Sequence, residues 1–519
     1  MGRHQDHRRK PVPSVTGQAT GTSGTADARA HTRLRGRTPD PNDPGLLSPA
    51  QVSLLTDQYE LAMASSYLAR RMNETVVFEL FVRHLPPRRR WLLAAGVGPA
   101  LAMVKAMRFG EEELAYARSL GFGAGFLEYL ARFRFSGDID AMPEGTIAFA
   151  GEPLVRVTAG RVEAQLLETL LLNQINFQTM VATKAARLAL AAGGGKPAGE
   201  RLVDFSPRRD HGTDAAMKAA RAAAIAGSAG TSNLAAAMRY GLKPVGTMAH
   251  SYVMSFEREE DAFRAFMEDF PANAVLLVDT YDTVEGVRRA IAAARGTGVP
   301  LAGVRLDSGD LLDLSLKARA LLDEAGMYEA GIVASGDLEE GQIARLTAAG
   351  APIDSFGVGT DLGTSRDSPV VNGIYKLVAH QVGGRWRDVR KRSPEKATVP
   401  GAKQVFRDYA AGEMRGDVIA RIEERFPGRP LLVPVVRDGV LVGKETIEGM
   451  SDRARAELEA LPPGLADLDG EGENYPVSYS ARCRAALEAL DLASDGEVQG
   501  PGQSARRAQG RLDDASPQP

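Results

Sequence analysis

Cysteine is almost missing from this chain of 519 residues: Cys483 stands alone, so no internal disulfide can form, and a reducing, cytoplasmic compartment follows as the expectation. Cys483 itself reads as a partly buried small residue. Long apolar runs are missing too. None reaches the roughly 20 residues that a membrane-spanning helix needs, so a membrane-embedded role is excluded. Charge of one sign is not in excess. A net −3 is too small at this length to argue for nucleic acid or an acidic surface as partner. What remains is ordinary: 44% hydrophobic and 25% charged residues, with length enough for about two or three domains' worth of core.

Residues 1–47 are rich in Arg, Gly, Thr and Pro and lack an apolar run, so they cannot bury enough surface to offset the entropy of ordering. They read as a disordered tail. They are Arg-rich like a transit peptide, yet they carry acidic residues and no apolar h-region, which argues against a secretory signal. A start codon placed too far upstream is the alternative. Residues 491–519 have the same polar, Gly/Pro/Gln-containing character and read as a second loose tail.

The middle of the chain alternates short apolar runs with helical patterns, the grammar of a parallel α/β fold. Six strand-like runs stand out: Leu202 to Phe205, Val245 to Ala249, Ala274 to Val278, Ala302 to Leu306, Gly331 to Ala334 and Ile353 to Val358. Thr213 or Asp214 is placed to cap the alanine-rich helix after the first run, and Gly241 to close the next helix. The spacing suits a (β/α) barrel or a doubly wound sheet. Ahead of these units, Asp57 and Glu60 are spaced as a capping pair, Phe78 to Arg83 reads as a strand and Arg161 to Leu190 as long apolar helix. Leu431 to Val436 and Val440 to Val442 look like a hairpin returning to the N-terminal part. The expected division is therefore an α+β domain begun by residues 48–160, a barrel over 161–380, and a segment over 381–490 that returns to the first domain.

In either architecture the carboxyl ends of parallel strands converge on one face. That face collects Arg208, His250, Asp279, Arg305, Asp307, Ser335, Asp337 and Gly359. Of seven histidines, only His250 follows an apolar strand-like run and precedes another hydrophobic stretch. Taken alone it is as readily a hydrogen-bonded core or loop residue as a site residue. A reading of Asp279 as a helix cap is the lesser alternative. Glycine turns at Gly336 and at Gly357-Val358-Gly359-Thr360 come in the last units, where barrels bind phosphate on backbone N–H groups. Together with two arginines they point to a phosphorylated substrate. The basic run from Arg390 to Lys396 is either a solvated face or part of that anion site.

Eight segments, in order, resemble the nicotinate phosphoribosyltransferase family: LLTDQYELAM, FELFVRHLP, DFSPRRDHGTDAAM, GTSNLAAAMRYGL, GTMAHS, GVRLDSGDL, DSFGVGT and KATVPGAKQVFR. The resemblance implies the irregular (β/α) barrel of the type II phosphoribosyltransferases plus a discontinuous α+β domain from N- and C-terminal segments. It implies an ATP-dependent enzyme that joins nicotinate to phosphoribosyl pyrophosphate in NAD salvage. It further implies a phosphohistidine at His250, with Asp279 and Asp307 as catalytic or Mg2+ contacts, and a homodimer with sites at the subunit interface. The pyridine carboxylate falls to Arg208, Arg305, Ser232 and Gly246, with Tyr59 reaching the ring from a neighbouring subunit. The 5′-phosphate falls to Gly336, Gly357, Gly359 and Thr360, and the pyrophosphate to Lys391 and Arg392.

One difference from a related family and one departure from the family pattern carry chemistry. Ser232 stands where the related nicotinamide phosphoribosyltransferases place an aspartate that binds a carboxamide N–H; serine can donate to a carboxylate that aspartate would repel. Ser206-Pro207 replaces the Gly-Leu of many relatives, and proline fixes φ just before Arg208. Among rival readings, a sugar-phosphate isomerase or lyase needs an acid/base pair or a Schiff-base lysine, and no lysine stands at a strand end in the repeats. A non-catalytic scaffold predicts losses at His250, Asp279, Arg305 or Asp307, yet all are present.

Overall fold

The computed structural model describes residues 47–48, 51–391, 398–468 and 474–498. The tail expected over 1–47, all but its last residue, lies outside these, as do Arg392 with the rest of the basic run to 397 and everything beyond 498.

Six parallel strands form a half-barrel in the spatial order Gly230–Thr231, Leu202–Asp204, Ser355–Val358, Gly331–Ala334, Gly303–Leu306 and Val275–Leu277. The last strand in sequence lies beside the first, as in a closed barrel. Five of the six expected runs are strands. The exception is Val245 to Ala249: Pro244 makes one isolated bridge with Thr231 and no ladder follows. Proline removes a ladder donor and Gly246 weakens a strand interior, so the run lies across the open seam of the sheet. Val245 N donates to Thr231 O at 2.9 Å on one side, and Asn273 Nδ2 donates to Gly246 O at 3.0 Å on the other. Its place in the sheet is taken by Gly230–Thr231, too short to show any period.

Helices connect the strands, and several caps differ from expectation. Helix Thr213–Ile225 starts from Gly212 at φ 96°, with no side-chain cap from Thr213 or Asp214. Asp57 makes no cap bond, while Glu60 accepts from Thr56 Oγ1 at 2.6 Å and Thr169 Oγ1 at 2.6 Å. Gly241 closes its helix at φ 69° as expected. The long apolar helix is split into Arg161–Gln165 and Glu168–Ala192.

The second layer is a seven-stranded antiparallel sheet in which Thr75–Val82 lies between Gly373–Val382 and Pro153–Gly160. The C-terminal hairpin returns to this sheet: Val433–Arg437 pairs with Asp138–Ala141. Strand Gly373–Val382 already belongs here, so the barrel gives way before residue 380. The final helix, Ala481–Val498, carries through residues assigned to a tail, because its Ala, Leu and Glu content favours helix.

Buried ions join the layers. Arg407 is fully buried, binds Asp417 Oδ2 and Glu457 Oε2 at 2.7 Å each, and lies over the rings of Phe149 and Tyr475. Glu152 stands 3.8 Å from the same guanidinium. Burial, reinforced by Asp417 beside it, pushes the Glu152 carboxyl well above its usual range. On the long helix, Lys184 binds Glu340 at 3.1 Å, Asp361 at 2.6 Å and Asp367 at 3.0 Å. Glu340 and Asp361 sit at the starts of the two helices that follow Gly336 and Gly359, and Asp367 just beyond the second, so the long helix anchors both glycine turns.

Candidate active site

Arg305 and Asp307 leave the end of strand Gly303–Leu306 together, and Arg305 Nη2 donates to Asp307 Oδ1 at 2.7 Å. Arg305 Nε donates to Ser335 Oγ at 2.8 Å, and Nη1 to Thr247 Oγ1 at 3.1 Å and Met248 O at 3.3 Å. Four of its five N–H groups are thereby used. Its guanidinium also lies 5.5 Å from the Phe205 ring centroid. A Cβ on Gly357 would meet that ring at 2.4 Å, so Gly357 gives room to Phe205.

Ser335 donates its hydroxyl to Asp307 Oδ1 as well. Burial alone would raise the Asp307 carboxyl, but the bonds from Ser335 and Arg305 outweigh it and hold the group below its ordinary value. Asp279 is no helix cap; Asp282 caps helix Thr283–Thr297 instead. Asp279 Oδ2 accepts Asp307 N at 3.0 Å and Ser308 Oγ at 2.6 Å, while its Oδ1 is buried with no hydrogen-bond partner. Two linked carboxylates with one orphaned oxygen fit Mg2+, which takes one or two carboxylates and completes its shell with water and substrate phosphate. Among the described residues no group of three His, Cys, Asp or Glu could hold a metal unaided.

His250 opens the short helix His250–Met254 at the seam. Its Nδ1 lies 3.2 Å from Thr280 Oγ1 and its Nε2 3.8 Å from Asp307 Oδ2. The structure thus brings His250, Asp279, Arg305 and Asp307 into one linked cluster. Gly336, at φ 95°, crosses so close to this cluster that a Cβ would lie 1.9 Å from Asp307 O. Gly359 and Thr360 open the next turn, where Gly359 packs on Phe205 O. Ser232 follows strand Gly230–Thr231, its N–H on Asp204 O at 2.8 Å. Arg208 is exposed in the turn after Leu202–Asp204, with no ion pair or side-chain hydrogen bond among the described residues.

Other expected residues are not joined to the cluster within one chain. Tyr59 lies on helix Gln58–Ala69, packed against Arg161–Gln165, and is 48% exposed. Lys391 is exposed beyond strand Arg385–Asp388 of the other sheet. The sequence reading missed Phe205, Thr247 and Thr280. Thr247 lies inside GTMAHS and Thr280 directly follows Asp279, so both were within sight; the stacking of Phe205 needed the fold.

A solved human nicotinic acid phosphoribosyltransferase superposes with a TM-score of 0.73 and 27% identity, over 84% of this chain and 100% of that one. The nicotinate-nucleotide pyrophosphorylase of Pyrococcus furiosus follows at a TM-score of 0.64 and 23% identity, over 79% of this chain and 96% of that one, a likeness of fold. The half-barrel with its antiparallel companion sheet is therefore the fold of the pyridine-nucleotide phosphoribosyltransferases. The nicotinate phosphoribosyltransferase (NAPRTase) N-terminal domain matches residues 54–176, and the NAPRTase family domain matches 201–415. Nicotinate phosphoribosyltransferase pncB2 of Mycobacterium tuberculosis is 47% identical over 86% of this chain and 95% of its own length. The nicotinate phosphoribosyltransferase of Bacillus subtilis is 43% identical over 72% of this chain and 77% of its own. The chain belongs to the nicotinate phosphoribosyltransferase family.

Proposed function

We propose that this chain forms nicotinate mononucleotide and pyrophosphate from nicotinate and phosphoribosyl pyrophosphate, with ATP hydrolysis coupled through a phosphate carried on His250. The observation that carries the reading is the cluster of Arg305, Asp307, Asp279 and His250 at one strand-end face, in a chain of this family.

Transfer breaks the C1′ bond to pyrophosphate as positive charge develops on the sugar, and the pyridine nitrogen attacks with its own lone pair. No general base is needed, so the protein mainly positions and neutralises. Arg208 has its whole guanidinium free for the nicotinate carboxylate, each charge-assisted bond contributing about 1.5 to 3 kcal/mol. Arg305 offers its one remaining N–H and holds Asp307 ionised. Ser232 and the Gly246 backbone complete this end. Gly336, Gly359 and Thr360 are assigned to the 5′-phosphate, and Lys391 with Arg392 to the pyrophosphate. Bound Mg2+ supplies charge neutralisation of the leaving group, and Asp279 and Asp307 would hold it.

A homodimer with shared sites is part of this reading. Leu234, Met238, Met254 and Tyr281, 58 to 85% exposed, follow Ser232, His250 and Asp279 around the mouth of the half-barrel. Such an apolar rim favours a covering subunit, which would bring its own Tyr59. Met238→Asp should shift the protein to monomer in sedimentation and lower activity. No helix among the described residues is long and apolar enough to cross a membrane; we assign the enzyme to the cytoplasm.

The test of the substrate is discrimination. Nicotinate should be used with kcat/KM at least about a hundredfold above nicotinamide, because the amide cannot take up the arginine's charge-assisted bonds. Equal use of the amide would refute the roles of Arg208 and Ser232.

A further inference from the structure

The turn that carries Arg208 is held by the residues on either side of it. Ser206 O accepts Arg209 N at 2.6 Å and Asp210 N at 3.1 Å, closing the turn over Pro207 and Arg208. Ser206 is fully buried; its N–H donates to Asp204 Oδ1 at 2.9 Å and its hydroxyl to Asp210 Oδ2 at 2.9 Å. The other carboxylate oxygen, Asp210 Oδ1, is buried and has no hydrogen-bond partner. It is wedged against Gly363 of helix Thr360–Thr364, where a Cβ would lie 1.9 Å from Asp210 Oδ1 and 2.6 Å from Ser206 Cβ.

One carboxyl group therefore docks the Arg208 turn on the helix that opens with Thr360. Among the described residues Arg208 has no partner of its own, so its direction depends on this turn. We infer that Asp210 is a positioning residue: through Ser206 and Gly363 it fixes the Arg208 turn against the helix carrying the phosphate turn, and so presets the guanidinium for a carboxylate substrate. The inference rests on the proposed role of Arg208. A preset donor loses less freedom when the ligand binds, so the effect belongs in substrate affinity rather than in the chemical step. Burial pushes the Asp210 carboxyl up to about 6 despite the Ser206 hydrogen bond, with Asp204 adding a like charge and His211 opposing it.

Steady-state kinetics of the full chain test this with Asp210→Ala, Asp210→Asn and Ser206→Ala. Asp210→Ala should raise KM for nicotinate about tenfold, with KM for phosphoribosyl pyrophosphate and kcat within about threefold of wild type. Asp210→Asn keeps an acceptor for the Ser206 hydroxyl and should recover most of the loss. Ser206→Ala should raise the nicotinate KM by a smaller factor. Equal increases in both KM values, a fall in kcat alone, or an Asn variant as impaired as Ala would overturn the role of Asp210. A wild-type protein that leaves nicotinate unchanged would overturn the proposed function, and the role with it, so the two failures are told apart by the wild-type assay.

Discussion

His250 Nε2 faces Asp307 Oδ2 across 3.8 Å, while the opposite ring nitrogen rests 3.2 Å from the Thr280 hydroxyl. Thr280 thereby orients the ring and leaves Nε2 free for the attack on a phosphoryl group proposed above. Incubation with γ-labelled ATP should give acid-labile, base-stable label on wild type, borne on Nε2, and none on His250→Ala. Thr280→Ala should slow labelling without abolishing it. Label that persists on His250→Ala would mean the acceptor is another residue.

The two arginines should fail differently. Arg208 is unpartnered among the described residues, so Arg208→Ala should raise KM for nicotinate by about ten- to a hundredfold, the loss of roughly 1.5 to 3 kcal/mol, with little change in thermal stability. Arg305 is bonded to Asp307, Ser335, Thr247 and Met248, so Arg305→Ala should lower kcat and Tm together by leaving Asp307 unpaired. Identical kinetic and thermal profiles for the two would contradict this division.

Gly336 has no room for a side chain: φ is 95° and a Cβ would stand 1.9 Å from Asp307 O. Gly336→Ala should cost about 2 kcal/mol or more of stability from strain and displacement. Activity should fall further than stability explains, because Asp307 moves. Calorimetry beside kinetics checks this, and a fully active, fully stable variant would contradict it.

Glu152 carries a pH dependence whose sign is set by its burial. Its folded-state carboxyl is raised well above the ordinary 4.5, so the native state keeps a proton that the unfolded chain releases. Stability from this group is full below about 4.5 and is lost as pH rises towards the raised value. Glu152→Gln mimics the protonated form. The Tm of Glu152→Gln should gain on wild type as pH is raised from 5 to 8, in roughly that window; parallel curves would refute it.

How much of this was legible in the sequence varied with the physics of each element. Runs such as Gly331 to Ala334 are strands at the expected residues, because a short apolar run bounded by turn signals allows little else in an α/β chain. Val245 to Ala249 failed because its proline and glycine counted for more than its apolar content, and the seam it crosses belongs to the whole sheet. The pairing of Val433 with Ala141 joins residues far apart in sequence, which no local pattern encodes. At the site, the polar strand ends were visible residue by residue. The consumption of Arg305 by four neighbours was not, since it depends on Ser335 and Thr247 arriving from other strand ends and the seam. Nor was the wedge of Asp210 on Gly363.

On the proposed mechanism, one site makes nicotinate mononucleotide and draws on ATP through His250. Purified protein given nicotinate, phosphoribosyl pyrophosphate and Mg2+ should form nicotinate mononucleotide and pyrophosphate in equal amounts. Adding ATP should raise the rate or the final yield in wild type but not in His250→Ala. Absence of the mononucleotide from wild type would rule out the proposed activity, and ATP stimulation undiminished in His250→Ala would rule out His250 as the phosphate carrier.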